Sequence, residues 1–168
     1  MTMTTLKRML RHLLTTTASG KRAFPEATLK AIQNTIADGE RTHRAEIRMV
    51  VETALDQDQI WQGLNARQRA HDLFAQYRIW DTEENCGVLI YVNLADHKVE
   101  IIADRGVNRA LDKKDWNAVC QLMAKGFAQG LFHASAVSGI EQLNTLLTTF
   151  FPSHGGTENE LSNRPIVL

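Results

Sequence analysis

Five oxygen-bearing side chains stand directly before one of the most apolar segments of the chain. They are Asp81, Thr82, Glu83, Glu84 and Asn85, in the stretch RIWDTEENCGVLIYVNL. Carboxylate and amide oxygens are the ligands that calcium and magnesium prefer, whereas zinc favours cysteine and histidine. The spacing of the acids resembles the first half of an EF-hand loop, but Cys86 occupies the glycine position and no acid closes the loop. The stretch is therefore an acidic segment outside the EF-hand class.

Other catalytic signatures are missing from the sequence. The chain has no HExxH zinc motif, no GxSxG nucleophile motif and no P-loop. Cys86 and Cys120 lack CxxC neighbours, which argues against a disulfide framework and a thiolate metal site. Calcium or magnesium is thus the cofactor to expect if the acids form a site, and no organic cofactor is expected.

Composition favours a single soluble domain. The chain has 168 residues, with 19 basic and 19 acidic side chains that cancel. This length suits one domain, and zero net charge gives no overall attraction to nucleic acid, so no nucleic-acid partner is expected. No apolar run is long enough for a signal peptide or a membrane span. We therefore expect a cytoplasmic protein.

Apolar patterning predicts the elements that carry the acids. Residues 46–55 predict one strand, and residues 87–94 form a nearly continuous apolar run, typical of a strand covered on both faces. A helix capped by Asn65 connects them as a βαβ unit, and residues 99–104 predict an antiparallel hairpin partner. With further helices from Asp112 to Phe150, the sequence predicts an α/β fold, a three-layer α/β/α sandwich around a small mixed sheet.

This topology brings three segments to one edge of the predicted sheet. The starts of two parallel strands lie at the same edge, and the end of the antiparallel strand lies beside them. The predicted rim consists of His43, Glu46, Asp81, Thr82, Glu83, Asn85, Asp104 and Arg105. Of these, Asp81, Glu83, Asn85 and Asp104 are the candidate metal ligands. Crowded carboxylates need a compensating cation, which is either a bound ion or the side chains of Arg48 and Arg105, and the sequence leaves both readings open.

The N-terminal segment predicts an amphipathic basic helix at residues 4–17. Its apolar stripe contains Leu6, Met9, Leu10, Leu13 and Leu14, with Lys7, Arg8, Arg11 and His12 between them. The domain or a partner subunit is expected to cover this stripe, and weak contact with a membrane surface is the alternative. We divide the chain into this helical arm at 1–20, a domain at 24–151 and a flexible tail at 152–168.

The central segments resemble a known family. The stretch NCGVLIYVNLADHKVEIIADRGVN, followed by a helix and FAQGLFHASAVSGIEQLNTLL, is similar to the TPM domain, named for thylakoid lumen, photosystem-repair and acetylcholine-receptor-modulator proteins. Asn85 and Gly87 match its NGVLL motif, Asp96 its hairpin and Gly106 its turn. The similarity covers residues 24–151 and is closest to a bacterial branch. It implies an α/β/α sandwich, an acidic groove that holds calcium in some members, and the acid phosphatase activity proposed for plant members.

Two functions follow from these observations. The first is an accessory or interaction domain whose acidic rim contacts an as yet unknown protein partner. The second is a metal-assisted acid phosphatase, a phosphomonoester hydrolase in which Asp81, Glu83 and Asp104 hold a divalent ion and Arg105 binds the phosphate. We favour the first, because a nucleophile with an adjacent base is not recognisable in the sequence.

Overall fold

The structure, a computed structural model, describes residues 3–156 and 158–168. Residues 1 and 2 of the predicted N-terminal arm and residue 157 of the predicted tail lie outside this description. Among the described residues, the helices are α1 Met3–Leu14, α2 Thr17–Ala23, α3 Glu26–Glu40, α4 Gln57–Trp61, α5 Ala66–Gln76, α6 Arg105–Asn108, α7 Lys113–Ala128 and α8 Phe132–Phe150. The strands are β1 Glu46–Glu52, β2 Gly87–Asn93, β3 Lys98–Ala103 and β4 Ile166–Val167.

The mixed sheet has the strand order β3-β2-β1-β4. β1 and β2 are parallel with Glu46 opposite Gly87, and β3 returns antiparallel to β2 with Ala103 opposite Val88. All seven residues of β2 are buried, as its continuous apolar run predicts. The predicted βαβ unit and hairpin are therefore confirmed.

Helices cover both faces of the sheet. On one face, Ile47, Met49 and Val51 of β1 belong to the larger core cluster, together with buried residues of α3, α7 and α8. On the other face, Val50 packs with Leu73 of α5 in a smaller cluster. Successive residues of a strand point to opposite faces, so β1 supplies both cores. The three-layer sandwich predicted from the sequence is confirmed.

The ends of the chain differ from the prediction. The tail predicted at 152–168 contains β4, which pairs parallel with β1 through Val50 and Ile166, so an entirely flexible tail is wrong. A strand of two residues is too short to produce an alternating pattern. The helix predicted at residues 4–17 corresponds to α1, which ends at Leu14. A separate helix, α2, starts at Thr17 after its N-cap Thr16, whose hydroxyl accepts from the Ser19 N–H.

Candidate functional site

The three predicted segments meet at the edge where β1 and β2 begin. The Asp104 N–H donates to the Gly87 carbonyl at 2.9 Å, and the Gly106 N–H donates to the Asn85 carbonyl at 3.0 Å. Gly87 is required by this packing, because a Cβ there would lie 1.9 Å from the Ile79 carbonyl oxygen. The backbone around the acids is thus tightly fixed.

Several of the predicted ligands bind protein groups at this edge. Asp104 caps α6 through its Oδ1, which accepts from the Arg105 N–H at 2.7 Å. Asn85 Oδ1 accepts from Arg105 Nη2 at 3.4 Å, and Asp81 Oδ2 accepts from Arg78 Nη2 at 2.8 Å. Within residues 3–156 and 158–168, no group of three or more His, Cys, Asp and Glu side chains is placed to hold a metal ion. Asp81 and Asp104 therefore have separate arginine or backbone partners.

Two other predicted rim residues have internal roles. Thr82 Oγ1 accepts from the Cys86 N–H at 2.9 Å and closes the turn before β2. His43 is fully buried, and its Nε2 lies 3.0 Å from Asn144 Oδ1 on α8. Burial lowers the pKa of His43, although its hydrogen bond to Asn144 acts in the opposite direction. His43 therefore packs inside the domain, away from the acids that surround β1 and β2 at the surface.

A pocket of about 260 Å³ at the same edge collects five acids. We call it the glutamate pocket, and its acids are Glu46, Glu83, Glu84, Glu158 and Glu160. Arg44 also lines it, forms an ion pair with Glu84 and lies over the ring of Phe151. Among the described lining residues, Arg44 is the single basic side chain, so the pocket carries more negative than positive charge.

The tail is held in the pocket by hydrogen bonds to these acids. Glu160 Oε2 accepts from the Glu83 N–H at 2.9 Å, and Glu46 Oε2 accepts from the Leu161 N–H at 3.0 Å. Glu160 is exposed, whereas Glu46 is buried at the start of β1. The pocket is therefore formed by residues more than 100 positions apart in the chain.

The pocket disfavours ionisation of its buried groups. Burial raises the pKa of Glu46, hydrogen bonds from the Leu161 and Glu160 backbone oppose this, and the nearby Glu160 charge raises it further. Burial likewise raises the pKa of the Cys86 thiol, as do the charges of Glu46, Glu160 and Glu84. A thiol with a raised pKa is a poor nucleophile, so the pocket suits cation binding better than covalent catalysis.

A partly buried carboxyl, Glu40 at the end of α3, lies next to Glu46 of the pocket. Glu40 Oε1 accepts from the Ile47 N–H at 2.8 Å, and its Oε2 accepts from Asn163 Nδ2 at 2.7 Å. Burial raises the pKa of Glu40 to about 8, with a further contribution from the charge of Glu46. This shift favours the protonated form of Glu40 near neutral pH, which lessens its contribution to the negative charge of this edge.

Sequence reasoning missed the contributions of Glu40, Glu158 and Glu160, and it left Glu84 out of the predicted rim. The acids of the stretch TENELSN are visible in the sequence, but nothing in that stretch predicts that it returns to β1. Glu46 and Glu83, by contrast, were placed at this edge by the parallel topology alone. The three predicted segments do meet at one edge, but the side chains that share the pocket differ from the predicted ligand set, which stays a prediction.

Comparison with known proteins assigns the fold. A family model for the TPM domain matches residues 20–146, well over half of the 168 residues. The chain belongs to the TPM domain family. This TPM domain is also similar to the NMR structure of the BA42 protein from the psychrophilic bacterium Bizionia argentinensis, with a TM-score of 0.74 and 29% sequence identity over 84% of this chain and 92% of that one. A search of curated proteins finds no match.

Among the described residues, no helix has both the length and the apolar character that a membrane crossing requires. The family membership confirms the resemblance read from the central segments.

Proposed function

We propose that this TPM domain is a non-catalytic binding domain whose glutamate pocket takes up a cation. The observation that carries the proposal is the charge of the pocket, where five glutamates face the single guanidinium of Arg44. Like charges held close together are mutually destabilising, and a bound cation relieves the repulsion. Calcium and magnesium are the simplest ligands of this chemistry, because both prefer carboxylate oxygens.

Cation binding in the pocket requires the glutamate side chains to rotate toward one another. Glu158 is exposed, so its rotamer changes at little cost, whereas Glu46 is held by the Leu161 N–H, Glu84 by Arg44 and Glu160 by the Glu83 N–H. The predicted set of Asp81, Glu83, Asn85 and Asp104 is a competing location for the same ion. We favour the pocket because it collects five glutamates, whereas Asp81 and Asp104 have separate partners in Arg78 and the start of α6.

A phosphomonoesterase is the weaker of the two candidate functions. It needs Asp81, Glu83 and Asp104 around one ion, with Arg105 free to bind phosphate. In the structure Arg105 is directed to Asn85, and the neighbouring glutamate pocket repels a phosphate dianion. We therefore expect no hydrolysis of p-nitrophenyl phosphate above that of the Asp104→Asn variant, with or without divalent ions.

Thermal unfolding in chelator and in calcium or magnesium tests the cation proposal. At about 100 times the dissociation constant, an ion that binds only the folded state stabilises it by roughly 2.7 kcal/mol, so the melting temperature of the wild type rises. Glu160→Gln keeps the oxygen that accepts from the Glu83 N–H but removes a charge, so it abolishes the shift. In chelator the same variant is slightly more stable than the wild type, because the repulsion with Glu46 is smaller.

Two further variants locate the ion. Glu141→Gln removes an exposed acid of α8 outside the pocket lining and keeps the full shift. Asp104→Asn keeps the shift if the ion lies in the pocket and loses it if the ion lies at the predicted set. Absence of any shift of the wild type with either ion contradicts the cation proposal.

A further inference from the structure

Helix α1 contacts the domain through its polar side. Arg8 Nη2 lies 2.7 Å from Asp96 Oδ2, and Arg11 Nη2 lies 2.6 Å from Asp96 Oδ1. His12 is buried. Its Nε2 lies 3.1 Å from Asp96 Oδ1, and its Nδ1 accepts a hydrogen bond from the Leu55 N–H at 2.9 Å. These contacts, which we call the Asp96 latch, fix the rotation of α1 about its own axis.

The opposite side of α1 is apolar and exposed. We call it the leucine face, and it consists of Met3, Leu6, Leu10, Leu13 and Leu14, which are between 53% and 75% exposed. Their spacing of three, four and seven residues places them on one side of the helix. Amphipathic helices of globular proteins normally bury this side against the core, so α1 is docked in the reverse orientation. Contiguous exposed apolar side chains of this kind mark an interaction surface.

The leucine face belongs to a basic segment of the chain, although Arg8 and Arg11 of that segment are paired with Asp96 on the other side of α1. Residues 1–25 contain Lys7, Arg8, Arg11, Lys21 and Arg22 and no acid, although the whole chain is neutral. Leu14 also lines an apolar cavity of about 490 Å³ whose described lining includes Arg22, Lys98 and His97 but no aspartate or glutamate. Helix α4, which packs against α1, ends in Trp61, whose side chain is 64% exposed.

We propose that the leucine face of α1 docks on an anionic lipid surface. A short helix with an apolar side, flanking lysine and arginine and a nearby tryptophan is suited to the boundary between headgroups and acyl chains. The Asp96 latch then holds the folded domain on the far side of the helix, away from the lipid. The exposed side chains of Lys7, Lys21 and Arg22 supply the attraction to anionic headgroups.

A second copy of the chain fits this surface less well. A helix of 12 residues is about 18 Å long and about 10 Å wide, so it covers on the order of 200 Å². Stable protein interfaces bury about 800 Å² on each partner. Pairing two copies through α1 also brings two basic, acid-free segments together, which repel each other. Anionic lipid matches both the apolar side and the charge.

Vesicle sedimentation of the full chain tests the proposal. We expect binding to phosphatidylcholine vesicles that contain about 30% phosphatidylserine, weak binding to phosphatidylcholine alone, and release in about 1 M salt, where the Debye length is about 3 Å. The double variant Leu6→Gln/Leu10→Gln lowers the apparent lipid affinity at least about tenfold. Both leucines are more than half exposed, so thermal unfolding of this variant matches the wild type.

Matched variants separate the leucine face from general hydrophobicity and charge. Leu122→Gln replaces a 38% exposed leucine of α7 and leaves binding unchanged, whereas Lys7→Gln/Arg22→Gln weakens binding to anionic vesicles only. Equal binding by wild type and Leu6→Gln/Leu10→Gln overturns the proposal, as does the absence of binding to anionic vesicles. A dimer seen by light scattering in the wild type and lost in that variant, without lipid binding, assigns the face to a second copy instead.

Discussion

Replacing Glu40 with glutamine is expected to stabilise the domain increasingly as the pH rises. Burial raises the pKa of this carboxyl from 4.5 to about 8 in the folded state. For a group whose folded pKa lies above the unfolded one, the stabilising contribution is complete below pH 4.5 and is lost as the pH rises through 8. Glutamine has no proton to lose, so the variant lacks this dependence.

The size of the effect follows from the same shift. One pH unit is worth about 1.36 kcal/mol for a group that takes up one proton on folding. Between pH 6 and pH 8, titration of Glu40 therefore removes about 2 kcal/mol from the free energy of unfolding of the wild type. At pH 6 we expect the wild type and Glu40→Gln to be similar in stability. The glutamine oxygen still accepts from the Ile47 N–H. The glutamine amide N–H donates to the otherwise unpartnered Oδ1 of Asn163 once the Asn163 side-chain amide turns over.

Urea unfolding at pH 6 and pH 8 measures this difference. Glu46 is present in both proteins, so its own titration largely cancels when the two are compared. Glu141→Gln, which removes an exposed carboxyl of α8, serves as the matched control and shows no such change between the two pH values. If the advantage of Glu40→Gln over the wild type is the same at both pH values, Glu40 is ionised in the folded state and the reasoning fails.

Two other substitutions test the contacts that position the elements. Asp96→Asn is expected to cost about 1–3 kcal/mol at pH 7 in urea unfolding, and trypsin should cut sooner at Arg8 and Arg11. Burial alone raises the pKa of Asp96, but hydrogen bonds from His12, Arg8 and Arg11 outweigh it and hold the pKa well below 3.8. The stability lost in Asp96→Asn should therefore shrink as the pH falls below 3.8. A loss of stability that stays constant with pH would contradict the latch. Gly87→Ala should lower the free energy of unfolding by at least about 3 kcal/mol, because the added Cβ would meet the Ile79 carbonyl. Gly130→Ala is the control: it has open space but a φ of +75°, so it should lower the free energy of unfolding by only about 1–2 kcal/mol. Similar melting temperatures for the two variants would refute this packing argument.

The fold was predictable where a segment carries its own pattern. The apolar run of β2, the Asn65 cap of α5 and the hairpin to β3 all depend on neighbouring residues, and the parallel topology then fixed which edge collects the acids. The two-residue strand β4 has no such pattern. Its position depends on a pairing between Val50 and Ile166, which only the folded chain reveals.

The sequence predicts the sheet edge at which the acids lie, but it does not predict which side chains share the pocket. Topology puts Glu46 and Glu83 at one edge, yet it does not say which way a side chain turns, and His43 turns inward to Asn144. The same limit applies to α1. Its amphipathic pattern was visible, but its reversed docking depends on Asp96, more than 80 residues away in the chain.

Strand β4 and the glutamate pocket share one segment of the chain. The segment is held by two paired residues in β4 and by hydrogen bonds from Leu161 to Glu46 and from Asn163 to Glu40, so we expect it to open at a lower free energy than the whole domain unfolds. An opening that breaks all of these contacts carries Glu158 and Glu160 away from Glu46, and the pocket then exists only in molecules whose last strand is docked. A ligand in the pocket must therefore slow hydrogen exchange of the Leu168 amide, which donates to the Val51 carbonyl at 2.8 Å. The Leu168 amide, which pairs near the end of β1, therefore reports on the occupancy of the glutamate pocket at the start of β1.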